Sequence, residues 1–330
     1  MPHPSRRALL GATFASAALA GVRPAAAQKA LDTVRIVTGA SPGSALDTLC
    51  HGVADGLRGT PFAVNAVVEN REGFSERLAV QSMKGAATDG SHLLLVRAST
   101  LIIFPYIYEK LGYDVFSDLT PVTLACTFEF AFAVGPTVPE SVKVLPDFIA
   151  WTKANPEQAK FGSPATGTVP HFIGSMLGRR SGQKLKHISF DGTQASVRAL
   201  MAGKVPAVSA PIGAFLREAN AGNIRIIGVS GRTRSRFLPN VPTYAEQGLS
   251  DMVFSEWLGF FSPGGTSTSG TLRANAALRS AMKRSDVLAD LAADGLEVTS
   301  STPTELALRL NADYERWGPR VKDSGFKSDL

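Results

Sequence analysis

The sequence predicts an α/β protein of two lobes with mostly parallel sheets flanked by helices and candidate ligand loops at the strand ends. Three observations carry this expectation. Short apolar strands alternate with amphipathic helices at the spacing of βαβ units, which implies parallel strands joined by crossovers. A chain of 330 residues, 44% hydrophobic and 19% charged, is long enough for two cores at about 150 residues each. The loops after the strands are small, rich in Gly and hydroxyls and almost uncharged, and open parallel sheets bind ligands at their strand ends.

The first residues read as a leader rather than as part of the fold. Arg6 and Arg7 give a positive start, Leu9 to Val22 a short apolar run, and Ala25-Ala26-Ala27 a small-residue cleavage pattern. The run is too short to span a bilayer, which needs about 20 apolar residues. Residues 1–27 are therefore expected to be a signal peptide, and Ser5-Arg6-Arg7 also fits a twin-arginine signal. They carry three arginines and no acid, so the formal charge of +6 falls to +3 without them. So small a charge, with no aromatic interleaving in the basic cluster Arg232, Arg234 and Arg236, argues against nucleic acid as a partner. Cys50 and Cys126 admit either a disulfide in an oxidising compartment or two separate buried thiols.

The elements follow in order. Val34–Val37 is a strand, Gly39–Ser44 a turn, and Leu46, Leu49, Val53 and Leu57 mark a helix over 45–57. Phe62–Val68 is a strand, Glu76–Lys84 a helix, and His92–Val96 a strand after the Asp89-Gly90 turn. Phe130–Val134 is a strand, and the helix Ser141–Ala154 stops before Asn155-Pro156 because Pro disfavours helix in the residue before it. Lys160–Gly162 leads into the loop Ser163–Thr168 and a helix through Leu177. Leu185–Phe190 leads into Asp191-Gly192-Thr193 and a helix to Met201. Val205–Ser209, Arg225–Val229 and the aromatic run Phe254–Ser262 are extended. Thr271–Met282, Leu288–Asp294 and Thr304–Lys322 are helices, with Gly295 and Gly325 as stops.

Four strand-end loops stand out: Gly39–Ser44, Ala98-Ser99-Thr100, Ser163–Thr168 and Asp191-Gly192-Thr193. Three of them open helices, whose N–H groups favour a carboxylate or phosphate. Two sequence patterns point elsewhere. Gly39-Ala40-Ser41-Pro42-Gly43 fits the G-x-S-x-G elbow of a serine hydrolase, with His171 and His187 downstream. Against it, Pro42 has no N–H for an oxyanion hole, and no strand precedes this one to supply a second donor. Gly162–Thr168 begins like a phosphate loop but has Thr168 where Lys is required. The His residues at 3, 51, 92, 171 and 187 form no H-E-x-x-H, so neither metal nor cofactor is expected.

Several motifs in sequence order resemble one family, the periplasmic substrate-binding proteins of tripartite tricarboxylate transporters, or Bug-type receptors. Asp89-Gly90-Ser91-His92-Leu93-Leu94 is similar to its D-G-Y-T-L-L, and Glu69-Asn70-Arg71-x-Gly73 to its E-N-R-x-G. Leu111-Gly112-Tyr113-Asp114 with Asp118-Leu119-Thr120-Pro121-Val122 resembles L-x-Y-D-x-x-x-D-x-x-P-V. Leu238-Pro239-Asn240-Val241-Pro242-Thr243 with Glu246 and Gly248 resembles L-P-x-V-P-T-x-x-E-x-G, and Trp257-Leu258-Gly259-Phe260 and Trp317-Gly318 follow in place. The resemblance runs from about Val34 to Lys327.

The resemblance implies a two-lobe periplasmic-binding-protein-like fold with the ligand cleft between the lobes, lobe one over 28–127 plus 258–330 and lobe two over 128–257. The chain changes lobe at Leu124–Thr127 and Trp257–Phe261, the expected hinges. It implies a monomeric receptor that binds a small organic carboxylate through N–H groups and hydroxyls, delivers it to membrane subunits of a secondary transporter and does no chemistry. A sensing receptor and the Ser41 hydrolase are the alternatives. The family's first loop falls on Thr38–Asp47, so Ser41, Gly43, Ser44 and Asp47 are site candidates, with Ser99 and Thr100 from the next strand end. Its second loop falls on Gly162–His171 and adds Ser163, Thr166, Gly167, Thr168 and His171. Its Y-x-G loop falls on Phe190, Asp191 and Gly192. The chain departs from the pattern in places. Thr38-Gly39 replaces P-F, Ser44 a Gly, Pro164 and Ala165 polar or Gly residues, and Glu72-Gly73-Phe74-Ser75-Glu76 replaces P-G-A-G-G. Asp191, in the middle of the third loop, disfavours a second ligand carboxylate if it faces the cleft; the alternative is that it points to solvent or accepts N–H groups at the start of the next helix.

Overall fold

A computed structural model describes residues 29–327; the leader expected over 1–27 lies outside the described residues. The first part of the chain is β1 (Leu31–Thr38), α1 (Ala45–Leu57), β2 (Ala63–Asn70), α2 (Arg77–Gln81), β3 (His92–Arg97), α3 (Ala98–Ile102) and α4 (Phe104–Ile107). The long strand β4 (Leu119–Val134) leads to α5 (Leu145–Ala154), β5 (Lys160–Ser163), α6 (Val169–Arg180), β6 (Lys186–Ser189), α7 (Thr193–Met201), β7 (Ala207–Pro211), α8 (Gly213–Asn220) and β8 (Arg225–Val229). The chain returns through β9 (Ser255–Pro263), α9 (Thr268–Ala281), α10 (Ser285–Ala293), β10 (Glu297–Val298) and α11 (Pro303–Ser324).

The strands form one mixed sheet in the order β2-β1-β3-β9-β4-β7-β5-β6, with β8 and β10 also paired to β4. Parallel pairs lie on both sides of its centre: β1 with β2 and β3, and β5 with β6 and β7. The centre is antiparallel, because β9 runs against both β3 and β4. Strand β4 ties the two sides together. Its first part pairs with β9 and β10, and its last part with β7 and β8. The strand expected at Phe130–Val134 is thus the end of a 16-residue strand. Pro121 has no N–H for the ladder, and the register shifts between Pro121 and Thr123 and again between Leu124 and Cys126.

Period-2 alternation at the end of β4 explains how both faces are filled. Phe130, Phe132 and Val134 join the large core, which also holds the buried side chains around β1, β3 and α1. Ala131 and Ala133 face a second core with Val208, Phe215 and Val229. Helix α11 starts at a capping box, in which Thr302 and Glu305 satisfy each other's N–H groups, and ends at Gly325 in the left-handed region. Its Trp317 packs against Phe172 of α6 and Phe254 before β9, and its Asp313 accepts the Trp257 indole N–H at 2.9 Å. Phe326, just beyond it, lies 5.1 Å from the His171 ring. Across the sheet, Gly213 opens α8 against the turn after α10, where a Cβ would meet Asp294 O at 1.8 Å. Cys50 and Cys126 are separate buried thiols; burial pushes the Cys126 pKa up to about 12.

A candidate ligand site at two loop rims

Two sets of strand ends converge on one stretch of β4. Strands β1, β2 and β3 end at Thr38, Asn70 and Arg97; Arg97 pairs with Leu258, which pairs with Cys126. Strands β5, β6 and β7 end at Ser163, Ser189 and Pro211, and Pro211 pairs with Phe130. The loops after these ends make two rims beside residues 126–130.

In the first rim, Ser44 caps α1 by accepting the Asp47 N–H at 3.5 Å. Asp47 is buried and folds back over the loop, accepting the Gly43 N–H at 2.8 Å and the Asn70 side-chain amide at 2.7 Å. Burial works to raise the Asp47 pKa, but Asn70, the Gly43 N–H and His51 together hold it below the usual carboxylate range. Asp47 is therefore a brace, and the Gly43 N–H is already engaged. Exposed Ser41 donates its hydroxyl to Glu72 in the loop after β2.

That second loop is strained. Gly73 has φ 126°, and Phe74, Ser75 and Glu76 follow at 48°, 56° and 71°. The left-handed region costs an L-residue about 1–2 kcal/mol, so surrounding contacts must hold the turn. Arg77 supplies them: it is buried, lies 3.8 Å over the Tyr108 ring and donates Nε to Phe74 O at 2.9 Å. Glu76 turns inward over Gly39, where a Cβ would lie 2.5 Å from the Glu76 Cβ, and its Oε1 is 2.8 Å from Arg97 Nε. Glu76, and secondarily Glu256, raise the Arg97 pKa. Burial raises that of Glu256, whose Oε1 accepts the Ser99 N–H at 3.0 Å. Ser99 and Thr100 accordingly lie buried in the first turn of α3 rather than in a loop, and Tyr113 donates its hydroxyl to Thr100 O at 2.6 Å.

The second rim is braced without carboxylates. The fully buried Ser163 places Oγ 3.0 Å from Ala165 O and 2.8 Å from His187 Nε2. Thr168 donates its hydroxyl to Ala165 O at 2.8 Å, and the Gly167 N–H donates to His171 Nδ1 at 3.1 Å, which puts the His171 proton on Nε2. The two imidazoles pack 4.2 Å apart. Burial pushes the His171 pKa down to about 4, and burial with the neighbouring His171 pushes that of His187 down to about 3, so both rings are neutral at pH 7. The Phe190 and Gly192 N–H groups donate to Ser163 O and Pro164 O at 3.0 and 2.9 Å, seating the third loop on the second. Asp191 stands exposed between them. The bracing leaves out the N–H groups of Thr166, in the loop, and of Thr168, the N-cap of the 12-residue α6.

Ser41, Gly43, Ser44 and Asp47 thus share one rim, and Ser163, Thr166, Gly167, Thr168, His171, Phe190, Asp191 and Gly192 the other. Sequence reasoning missed Asn70, Glu72, Glu76, Arg97 and Glu256. The departure at 72–76 was the available signal for two of them. Ser41 meets Glu72, whereas His171 and His187 stand in the other rim; among the described residues no hydrogen bond joins Ser41 to a histidine.

The sequence profile of the tripartite tricarboxylate transporter family receptor matches residues 50–326. The chain is 26% identical over 295 residues to Protein BugT of Bordetella pertussis, covering 89% of this chain and 90% of that one. It is 27% identical over 277 residues, 84% of this chain and 81% of the relative, to a protein encoded between tcbD and tcbE in Pseudomonas sp. strain P51. Among solved structures, R. palustris Rpa4515 with adipate superposes with a TM-score of 0.79 at 23% identity, covering 90% of this chain and 98% of that one. MatC of Rhodopseudomonas palustris with bound malate gives 0.75 at 25% identity, over 88% and 99%. With a profile match over 50–326 and relatives matched along most of their own length, the chain belongs to the tripartite tricarboxylate transporter family of receptors.

Proposed function

We propose that this receptor works in the periplasm, where it binds a small organic carboxylate between two lobes, 28–127 plus 258–330 and 128–257, and passes it as a monomer to the membrane subunits of a secondary transporter. The observation that carries the reading is the second rim. Its hydroxyls and neutral imidazoles hold a loop that leads through Thr166 to the Thr168 N-cap of α6, and a helix N-terminus favours a carboxylate without a cationic side chain. Relatives solved with adipate and malate support the ligand class. The receptor performs no chemistry in this reading: among the described residues Ser41 has no histidine partner, and Ser163, which has one, is fully buried. Leu124–Thr127 and Trp257–Phe261 lie in paired strands, so closure bends β4 and β9 together.

The test is calorimetry with a panel of C3 to C8 carboxylates beside an esterase assay. Saturable binding with no turnover is the expected result, and ligand bound to the native state raises the melting temperature by mass action. Turnover abolished by Ser41→Ala would sink the proposal.

A further inference from the structure

The first rim carries a carboxylate of its own beside the exposed hydroxyl of its first loop. Ser41 is exposed at the end of β1, and its hydroxyl is donated to Glu72. Nothing in the rim neutralises Glu72. Arg35 and Arg71 are both bonded to Glu69, at 2.5 and 2.9 Å, and Arg97 is paired with Glu76. Among the described residues Glu72 forms no ion pair. The left-handed turn that follows it, over Phe74–Glu76, is clamped by Arg77 through Phe74 O. The Gly43 N–H, the next donor of the rim, is already given to Asp47.

We propose that Glu72 occupies the first rim's carboxylate position from within the chain, so that the receptor takes a ligand with one carboxylate, held at the second rim, and a neutral or cationic far end. This rests on the carboxylate reading above. A ligand carboxylate about 4 Å from Glu72 is repelled by a factor of about five where water screens the pair, rising to about a thousand at the effective dielectric of a protein surface. A ligand ammonium in the same place is favoured by the same charge.

The experiment uses two ligand series of equal chain length that differ only at the far end: hexanoate, adipate and 6-aminohexanoate, and butyrate, succinate and 4-aminobutyrate. Calorimetry on the parent is expected to rank the amino acid first and the diacid last in the length that fits. Glu72→Gln keeps the shape and removes the charge. It is expected to raise diacid affinity at least about tenfold while moving the simple monoacid less than about twofold, and to erase the advantage of the amino acid. Glu72→Asp is expected to restore the parent ranking, which a purely structural role would not do. A diacid-to-monoacid ratio unchanged by Glu72→Gln, or a parent that prefers the diacid, overturns the inference and leaves the receptor reading standing. Failure of both parent and variant to bind any member of either series, with melting curves intact, overturns the carboxylate reading and this inference with it.

Discussion

The two rims do the same architectural job with opposite chemistry. In the first, two carboxylates do the tying: Asp47 gathers the Gly43 N–H and Asn70, and Glu72 takes the Ser41 hydroxyl. The loop beside it stores left-handed strain at three residues. In the second, hydroxyls and two neutral imidazoles do the tying, and no charged side chain takes part. The difference teaches that uncharged loops in sequence are not equivalent sites. A rim braced by anions has used its donors on the protein and repels a second anion, whereas a rim braced by neutral groups keeps helix-terminal N–H groups for one.

The comparison predicts different acid sensitivities, and this is the largest effect. His171 and His187 have folded pKa values of about 4 and about 3, below the ordinary 6.5. The unfolded chain therefore binds the extra protons first as pH falls. Stability from the second rim is fully present above pH 6.5 and is lost as pH falls toward the folded values. Asp47 has a lowered folded pKa, so the first rim loses stability only as pH falls below about 4. Glu129 has the opposite sign. Burial first, and Glu297 second, raise its pKa to about 7, so its contribution is lost as pH rises from about 4.5 to 7 and blurs the parent profile. A difference measurement removes that overlap. His171→Gln, less stable than the parent at pH 7.5, should gain on it by about 3 kcal/mol by pH 4 in urea titrations. A constant gap across that range would mean that the buried imidazole does not govern the second rim.

Next in size is the strain of the first rim. Ser75 is exposed with φ 56°, and Gly carries no Cβ penalty there. Part of the relief is offset by the greater freedom of Gly in the unfolded chain. Ser75→Gly should raise stability by about 1 kcal/mol, read as an increased urea midpoint at unchanged slope. A destabilised variant would show that the turn is held at no cost to Ser75.

Much of this architecture was legible from the sequence because it is local. Helix α1 begins and ends where its apolar spacing and Ser44 place it, and β8 and α7 also coincide with their patterns. What was not legible depends on distant partners. The first part of β4 contains Pro121, which reads as a break until β9 is seen to absorb it through a register shift. Ser99 reads as a loop residue until Glu256, from the returning strand, fixes its N–H and starts α3. Ser41 and Glu72 lie on different βα loops, so their bond becomes visible only once β1 and β2 are paired. The hydroxyls of Ser163 and Thr168, read as ligand contacts in sequence, are held by Ala165 O and His187, because a short loop must satisfy its own carbonyls first.

The smallest expected effect comes from Asp191, the one formal charge on the second rim's loops. Its neighbours Phe190 and Gly192 are fixed by N–H bonds to Ser163 and Pro164, so the backbone at 191 is placed, while the side chain stands exposed to water. A carboxylate in water repels a second one about 4 Å away by about 1 kcal/mol, or about fivefold in affinity, and less at greater distance. The carboxylate held at that rim is common to both acids, so Asp191→Asn should improve monoacid and diacid together by no more than about fivefold and change their ratio less than that, with the gain shrinking as salt is raised toward 1 M. Glu72→Gln, which removes the anion bonded directly to Ser41, should exceed it. If Asp191→Asn instead gave the larger change, the discriminating charge would lie on the second rim, and the contrast between an anion-braced selector and a neutral binding rim would have to be reversed.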